Sequence, residues 1–308
     1  MSFAFFFPGQ GSQSLNMMNG FDGQTVIKAT FDEASAVLGQ DLWAMINGEH
    51  AETINETVNT QPLMLAAGIA TYRAYLEAGG KEPSVMAGHS LGEYTALVVA
   101  GSLSFVDALK LVRLRAELMQ SAVPQGTGSM AAILGLDDDA VRAVCAEAAQ
   151  GEVVEAVNFN SPGQVVIAGS IAAVERAIET AKAKGAKRAL PLPVSVPSHC
   201  LLMKPAAEKL AEALKAVDIQ PPKIPVIHNA DVASYNNAEQ IKDALVRQLY
   251  SPVRWTETVN ALVAQGIIQS AECGPGKVLA GLAKRINKEA SCSALTNTEQ
   301  VSAFIAAH

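Results

Sequence analysis

An α/β fold carrying a second, smaller α+β unit is predicted for this 308-residue chain from three features of its sequence. Short apolar runs alternate with helical patterns through the first third, the signature of strand–helix folds. From about residue 125 to 196 the order becomes β-α-β-β-α-β, the split unit of ferredoxin-like folds. Pro124 and Pro197 mark the two seams, and the larger pattern resumes after the second. The expected division is therefore one α/β domain from residues 1–124 and 197–308, interrupted by a ferredoxin-like subdomain over 125–196. The length agrees with two domains of roughly 150 residues.

Each element has its own reason. The uninterrupted apolar run Phe3 to Phe7 reads as a strand buried on both faces. A helix is expected from Thr25 to Leu38. Asn59-Thr60-Gln61 ahead of Pro62 reads as a helix start, because the missing proline N–H costs nothing in a first turn; that helix should reach about Glu77 and stop at Gly79-Gly80. Val85 to Ala87 reads as a short strand entering Gly88, with a helix following from Leu91. Ser104 is an expected N-cap, and Asp107 three residues on favours the helix dipole. In the smaller unit, strands are expected at 129–134, 153–158, 165–168 and 188–194, with helices at 138–149 and 171–184. Beyond Pro197 the expected elements are helices at 204–215 and 241–249, a strand at 226–227, and a strand at 269–273 ending in a glycine turn.

Composition narrows the function. Apolar residues make up 49% and charged residues 17%, enough for a large core. Only 5% aromatic residues and a net charge of −7 leave neither stacking platforms nor a basic footprint, so nucleic acid is not an expected partner. The apolar stretches fall far short of a membrane span, and the opening Met1 to Pro8 lacks the basic region of a signal peptide. Cys145, Cys200, Cys273 and Cys292 are far apart with no C-x-x-C, which suggests neither zinc nor disulfides and fits a reducing cytoplasm. A monomer is the default expectation.

The chemistry begins at Gly88-His89-Ser90-Leu91-Gly92, a G-x-S-x-G between an expected strand and an expected helix. A sharp turn there pushes the serine oxygen out of the fold, and the Leu91 N–H at the helix start can stabilise an oxyanion. The serine needs a base, and the five histidines are His50, His89, His199, His228 and His308. His308 is terminal, His50 sits in a polar loop, and His89 should turn to the other side of the elbow. His199, in the turn Val196-Pro197-Ser198-His199-Cys200 between the two units, is favoured over His228. No acid in a triad position follows a strand between Ser90 and His199, so a Ser–His dyad oriented by a neutral acceptor fits better than a triad. Cys200 should point away from its neighbour His199.

Arg115 is the next clue. Its helix-face neighbours Leu111, Val112, Leu118 and Met119 are all apolar, whereas Arg113 has the mixed set Leu109, Lys110, Ala116 and Glu117. Arg113 is expected at the surface and Arg115 inside, where an unpaired guanidinium is costly. Two readings fit Arg115: an ion pair with an internal carboxylate, or a bidentate receptor for a substrate carboxylate. The glycine motifs at Gly9-Gln10-Gly11-Ser12 and Gly274-Pro275-Gly276-Lys277 lack the remaining residues of nucleotide sites and are not read as such.

Together these residues resemble the malonyl-CoA:acyl carrier protein transacylases of bacterial fatty acid synthesis. The resemblance runs through Phe7-Pro8-Gly9-Gln10-Gly11-Ser12-Gln13, Thr60-Gln61-Pro62, Gly88 to Tyr94, Asn158 to Gln164, Pro197-Ser198-His199, Gln248-Leu249-Tyr250 and Gly274-Pro275-Gly276. It implies an α/β-hydrolase-like core with a mainly parallel sheet, beside the ferredoxin-like subdomain. It implies His199 as the base, oriented by the backbone carbonyl of Gln248, and an oxyanion hole from the N–H groups of Gln10 and Leu91. Arg115 would hold the malonyl carboxylate with support from Gln61, and Asn160 would line the cleft. It implies malonyl-CoA and the phosphopantetheine thiol of holo acyl carrier protein as substrates, ping-pong transfer through a malonyl-serine ester, and no cofactor. Lys182, Lys184, Lys187 and Arg188 form the richest basic cluster and are the expected docking face for the acidic carrier protein. Rival readings are a serine esterase or thioesterase on the same dyad, a non-catalytic carrier-protein binding module, and an acyltransferase of a malonate decarboxylase or polyketide system.

Overall fold

The computed structural model describes residues 2–48, 51–194 and 196–308; His50 lies outside them. Nine strands occur among the described residues: β1 (Phe3–Phe7), β2 (Val85–Gly88), β3 (Gly128–Leu134), β4 (Val154–Ser161), β5 (Gln164–Ser170), β6 (Arg188–Pro191), β7 (Val226–Ile227), β8 (Gln269–Cys273) and β9 (Ser291–Leu295). β7, β2, β1, β8 and β9 form a parallel sheet in that order. All five residues of β1 are buried, as its unbroken apolar run requires. The chain builds one side of β1 first and crosses to the other at β8, so the carboxyl end of β1 is a topological switch point, where α/β sheets bind ligands. Phe7 is level with Gly88, and Phe6 with Glu272, so the loops leaving β1, β2 and β8 emerge side by side.

The second sheet is antiparallel, in the order β4-β5-β3-β6, which is the ferredoxin-like arrangement expected. Alternation sorts its two faces. Ala131, Ile133, Val165 and Ile167 face the helices Asp138–Ala149 and Ile171–Ala183, while Met130, Val166 and Ala168 face the larger unit. β4 is stapled to that unit: the Phe159 N–H donates to Val253 O at 3.0 Å, and the Val253 N–H donates to Val157 O at 2.8 Å. Among the described residues, no helix is long and apolar enough to cross a membrane.

Three local expectations are corrected. The helix expected to begin near Pro62 runs Thr57–Glu77, with Pro62 inside it. The extra turn is held by side chains, since Thr60 Oγ1 donates to Ile54 O at 2.6 Å and Asn59 Nδ2 to Thr53 O at 3.0 Å. The last strand of the smaller unit, β6, stops at Pro191 rather than Val194, because Pro191 and Pro193 offer no N–H to a ladder. Arg113 is half-buried rather than on the surface, with Nη2 donating to Gln40 Oε1 just beyond the helix Thr25–Leu38. Neighbours on its own helix cannot reveal a partner brought in from another.

Candidate active site

Ser90 sits between β2 and the helix Gly92–Val99 with φ +52°, a left-handed backbone that costs a serine about 1–3 kcal/mol. Its flanking glycines are sterically required. A Cβ on Gly88 would lie 1.9 Å from the Gly92 carbonyl carbon, and one on Gly92 would lie 2.0 Å from Phe7 O. The turn is held from outside by Asn229, whose Oδ1 accepts from the Ser90 N–H at 2.7 Å and whose Nδ2 donates to Gly88 O at 2.6 Å.

His199 reaches the serine from the seam after the smaller unit, also with a left-handed backbone, φ +64°. Its Nε2 lies 2.8 Å from Ser90 Oγ, and its Nδ1 lies 2.8 Å from the Gln248 carbonyl oxygen. A carbonyl can only accept, so the proton belongs on Nδ1 and the Nε2 lone pair faces the serine hydroxyl. Burial holds the imidazole pKa down, to about 3, and the nearby Arg115 guanidinium adds to the depression. His199 is therefore neutral at physiological pH.

Arg115 is 1% exposed, on the helix Phe105–Ser121. Nη1 donates to Gln61 Oε1 at 2.8 Å, and Nη2 donates to Gln248 Oε1 at 3.0 Å and to Ser90 Oγ at 3.3 Å. The guanidinium lies over the Tyr94 ring at 5.4 Å. Among the described residues, no carboxylate is within salt-bridge distance of it, and its Nε has no hydrogen-bond partner. Of the two sequence readings, the direct internal ion pair is thus absent there.

Ser90, His199, Arg115 and Gln61 line one cavity of about 420 Å³, shared with Gly9, Gln10, Leu91, His89 and Asn160. The backbone N–H groups of Gln10 and Leu91 donate to no other described residue. A Cβ on Gly9 would lie 2.4 Å from His89 O, so only glycine lets the first loop come this close to the elbow. His89 does not turn to the far side as expected. It lines the cavity, with Nε2 2.8 Å from Asn160 Oδ1 and its ring against Trp255 at 5.6 Å between centroids. Cys200 behaves as expected: its thiol turns to Pro197 O at 3.2 Å, and burial pushes its pKa up to about 12.

His228, the competing histidine, is directed elsewhere. Its Nδ1 lies 2.6 Å from Glu93 Oε1 beneath the elbow. Glu93, fully buried, is not marked as a site residue by the sequence; Ala96 and Leu97 on its helix face are apolar, but the preceding positions on that face are His89 and Ser90. Its other oxygen accepts from the Asn229 N–H at 2.9 Å and from Gln248 Nε2 at 3.0 Å. The Gln248 side chain was likewise unforeseen; only its backbone carbonyl was expected at the site.

The arrangement suits acyl transfer: a serine hydroxyl on a left-handed turn, a neutral imidazole beside it, two N–H groups unpaired among the described residues and a buried cation around one cavity. Comparison with known proteins agrees. The sequence profile of the acyl transferase domain matches residues 4–297. The malonyl CoA-acyl carrier protein transacylase of Escherichia coli K12 is 56% identical over 304 residues, 98% of each chain. That of Bacillus subtilis is 47% identical, over 97% of this chain and 94% of its own. The crystal structure of an acyl-carrier-protein S-malonyltransferase from Burkholderia pseudomallei superposes with a TM-score of 0.98 at 57% identity, covering 99% of this chain and 100% of that one. A malonyl-transacylase in complex with its type II PKS acyl-carrier protein superposes with a TM-score of 0.98 at 54% identity, covering all of both chains. The fold, the profile and the full-length relatives agree: this chain belongs to the acyl transferase domain family and is an acyltransferase.

Proposed function

We propose that the chain transfers the malonyl group of malonyl-CoA to the phosphopantetheine thiol of holo acyl carrier protein, supplying extender units for fatty acid synthesis. The observation that carries this reading is Arg115: a buried guanidinium 3.3 Å from the Ser90 hydroxyl, paired only with neutral side-chain acceptors among the described residues. A malonyl carboxylate supplies the charge that site lacks. Nε2 of His199 takes the Ser90 proton as Oγ attacks the thioester carbonyl. The oxyanion is stabilised by the N–H groups of Gln10 and Leu91. CoA leaves as the thiol, with the proton returned from His199, and a malonyl-serine ester remains. The carrier-protein thiol then gives its proton to His199 and attacks the ester carbonyl; as the ester C–O bond breaks, His199 returns that proton to Ser90 Oγ and the malonyl thioester leaves. Gln61 holds Arg115, Asn160 lines the cleft from β4, and the N-terminal and C-terminal segments 1–124 and 197–308 act as the catalytic domain with 125–196 as the subdomain over it.

Intact mass after brief mixing with malonyl-CoA tests the reading. One malonyl adduct is expected, absent from Ser90→Ala and discharged by holo carrier protein. An adduct lost in buffer as fast as with carrier protein would favour a hydrolase, and no adduct with no CoA release would favour a binding module.

For carrier-protein docking, Arg188 is the best-supported member of the basic cluster. It is exposed on the edge strand β6 and stands opposite Leu134, which stands opposite the cavity-lining Gln164, so all three share the cleft face. The stem of Lys187 packs over Gly135 beside it. Lys182 and Lys184 are engaged by Glu179 at 2.8 Å and Glu147 at 2.5 Å and have less charge to offer. Charge reversal at Lys187 and Arg188 is expected to raise KM for carrier protein about tenfold, with malonyl-CoA loading unaffected, since rim charges act on association. Unchanged KM would remove this face. Cytoplasmic location and a monomeric state complete the reading.

A further inference from the structure

Burying Arg115 raises a physical problem. A lone guanidinium is costly inside a protein, yet a carboxylate bonded directly to it would occupy the position that the acyl-transfer reading above reserves for substrate. The chain's answer lies one residue further from the cleft. Glu93 is fully buried, and its two oxygens together accept from His228 Nδ1 at 2.6 Å, the Asn229 N–H at 2.9 Å and Gln248 Nε2 at 3.0 Å. Gln248 Nε2 also donates to Ser90 O at 2.9 Å.

Those contacts determine which way the Gln248 carboxamide faces. Its NH2 group meets two groups that can only accept, the Glu93 carboxylate and the Ser90 carbonyl, so its oxygen must face Arg115 Nη2 at 3.0 Å. The reversed amide would set NH2 against a guanidinium and oxygen against a carboxylate. Glu93 thus balances the charge of Arg115 through a neutral relay, while the guanidinium edge beside Ser90 stays unblocked by any described carboxylate.

We propose that Glu93 is a positioning residue for acyl-group selection: acting through the Gln248 carboxamide, and itself held by His228 and Asn229, it keeps the Arg115 guanidinium oriented toward Ser90 and open to an acyl group ending in a carboxylate. This proposal rests on the acyl-transfer reading and adds a determinant of its specificity. Glu93 is fully buried and does not line the cavity, so its effect passes through Gln248.

The test uses Glu93→Gln in the full-length protein. Glutamine keeps the shape but removes the negative charge, so the Gln248 carboxamide loses its charged acceptor and Arg115 loses the charge that balances it through the relay. The readout is the ratio of malonyl to acetyl adducts on Ser90 by intact mass, after mixing with equal concentrations of the two CoA esters. The ratio is expected to fall at least about tenfold, as for loss of a hydrogen bond to a charged group, with acetyl loading held within about threefold of wild type. Because the two residues act as one unit, adding Glu93→Gln to Arg115→Ala should lower the ratio no further. Should Glu93→Gln fail to fold, His228→Leu removes one of the donors that hold Glu93, from outside the cleft, and the same fall is expected. Equal slowing of both acyl groups at an unchanged ratio would overturn the proposal and make Glu93 a support of the elbow alone. If wild type loads neither ester, the acyl-transfer reading fails first and takes the proposal with it; if wild type prefers malonyl and both variants keep that preference, only the proposal fails.

Discussion

Replacing His199 with alanine is expected to slow acylation of Ser90 at least about a thousandfold, within the range for a positioned general base. The geometry explains the size. Ser90 Oγ has one described base within reach, His199 Nε2 at 2.8 Å, and that lone pair is aimed by the Gln248 carbonyl behind the ring. His228 cannot substitute, because its Nδ1 is held by Glu93 beneath the elbow. Rapid-quench intact mass with malonyl-CoA reads the rate directly, and loading within tenfold of wild type would place the base elsewhere. The wild-type pH profile adds a second constraint. With its pKa held down to about 3, chiefly by burial and then by Arg115, His199 stays neutral far below the ordinary histidine range. The acid limb of kcat/KM for acylation, which reports the free enzyme, should therefore lie well below pH 6.5. The stability consequence has the same origin. Between about pH 6.5 and 3 the unfolded chain binds a proton on this histidine that the folded chain refuses, so this contribution weakens the fold as pH falls through that window.

The elements that sequence alone made visible are those whose cause is local. Strand β1 is an apolar run and was readable to the residue; the helix Asp138–Ala149 was expected at the bounds it has. Ser90 was readable because the elbow's steric demand for Gly88 and Gly92 leaves a short motif, and Arg115 because four neighbours on its own helix face are apolar. What escaped is tertiary. Glu93 and His228 meet across 135 residues, and nothing in either neighbourhood names the other. His89 was misread because its partner Asn160 and its packing surface Trp255 come from distant segments. The role of the Gln248 side chain depends on three residues meeting from three elements. The inward position of Glu93 was only half visible to the face test that found Arg115, since Ala96 and Leu97 are apolar but His89 and Ser90 are not.

Arg115→Ala is expected to cost malonyl transfer roughly 2–5 kcal/mol, the range for removing one partner of a buried charge pair, or about 30- to 5,000-fold in kcat/KM. Acetyl transfer should be spared, since an acetyl group has nothing to offer the guanidinium, so the malonyl-over-acetyl preference should collapse; a preference kept at the wild-type level would make the carboxylate role wrong. The same variant has a second, separable consequence. The guanidinium depresses the basicity of His199, so removing it should raise the imidazole pKa and move the acid limb of acetyl loading to higher pH. That shift carries a mechanistic corollary. On the proposed reading, a malonyl carboxylate seated on Arg115 would cancel the same field, so the base would gain proton affinity with a substrate of the right charge in place and not with acetyl in the cleft. Charge recognition and base strength are then two effects of one cation lying 3.3 Å from the Ser90 hydroxyl. If acetyl loading by Arg115→Ala kept the wild-type acid limb, recognition and basicity would be independent, and burial alone would account for the neutral histidine.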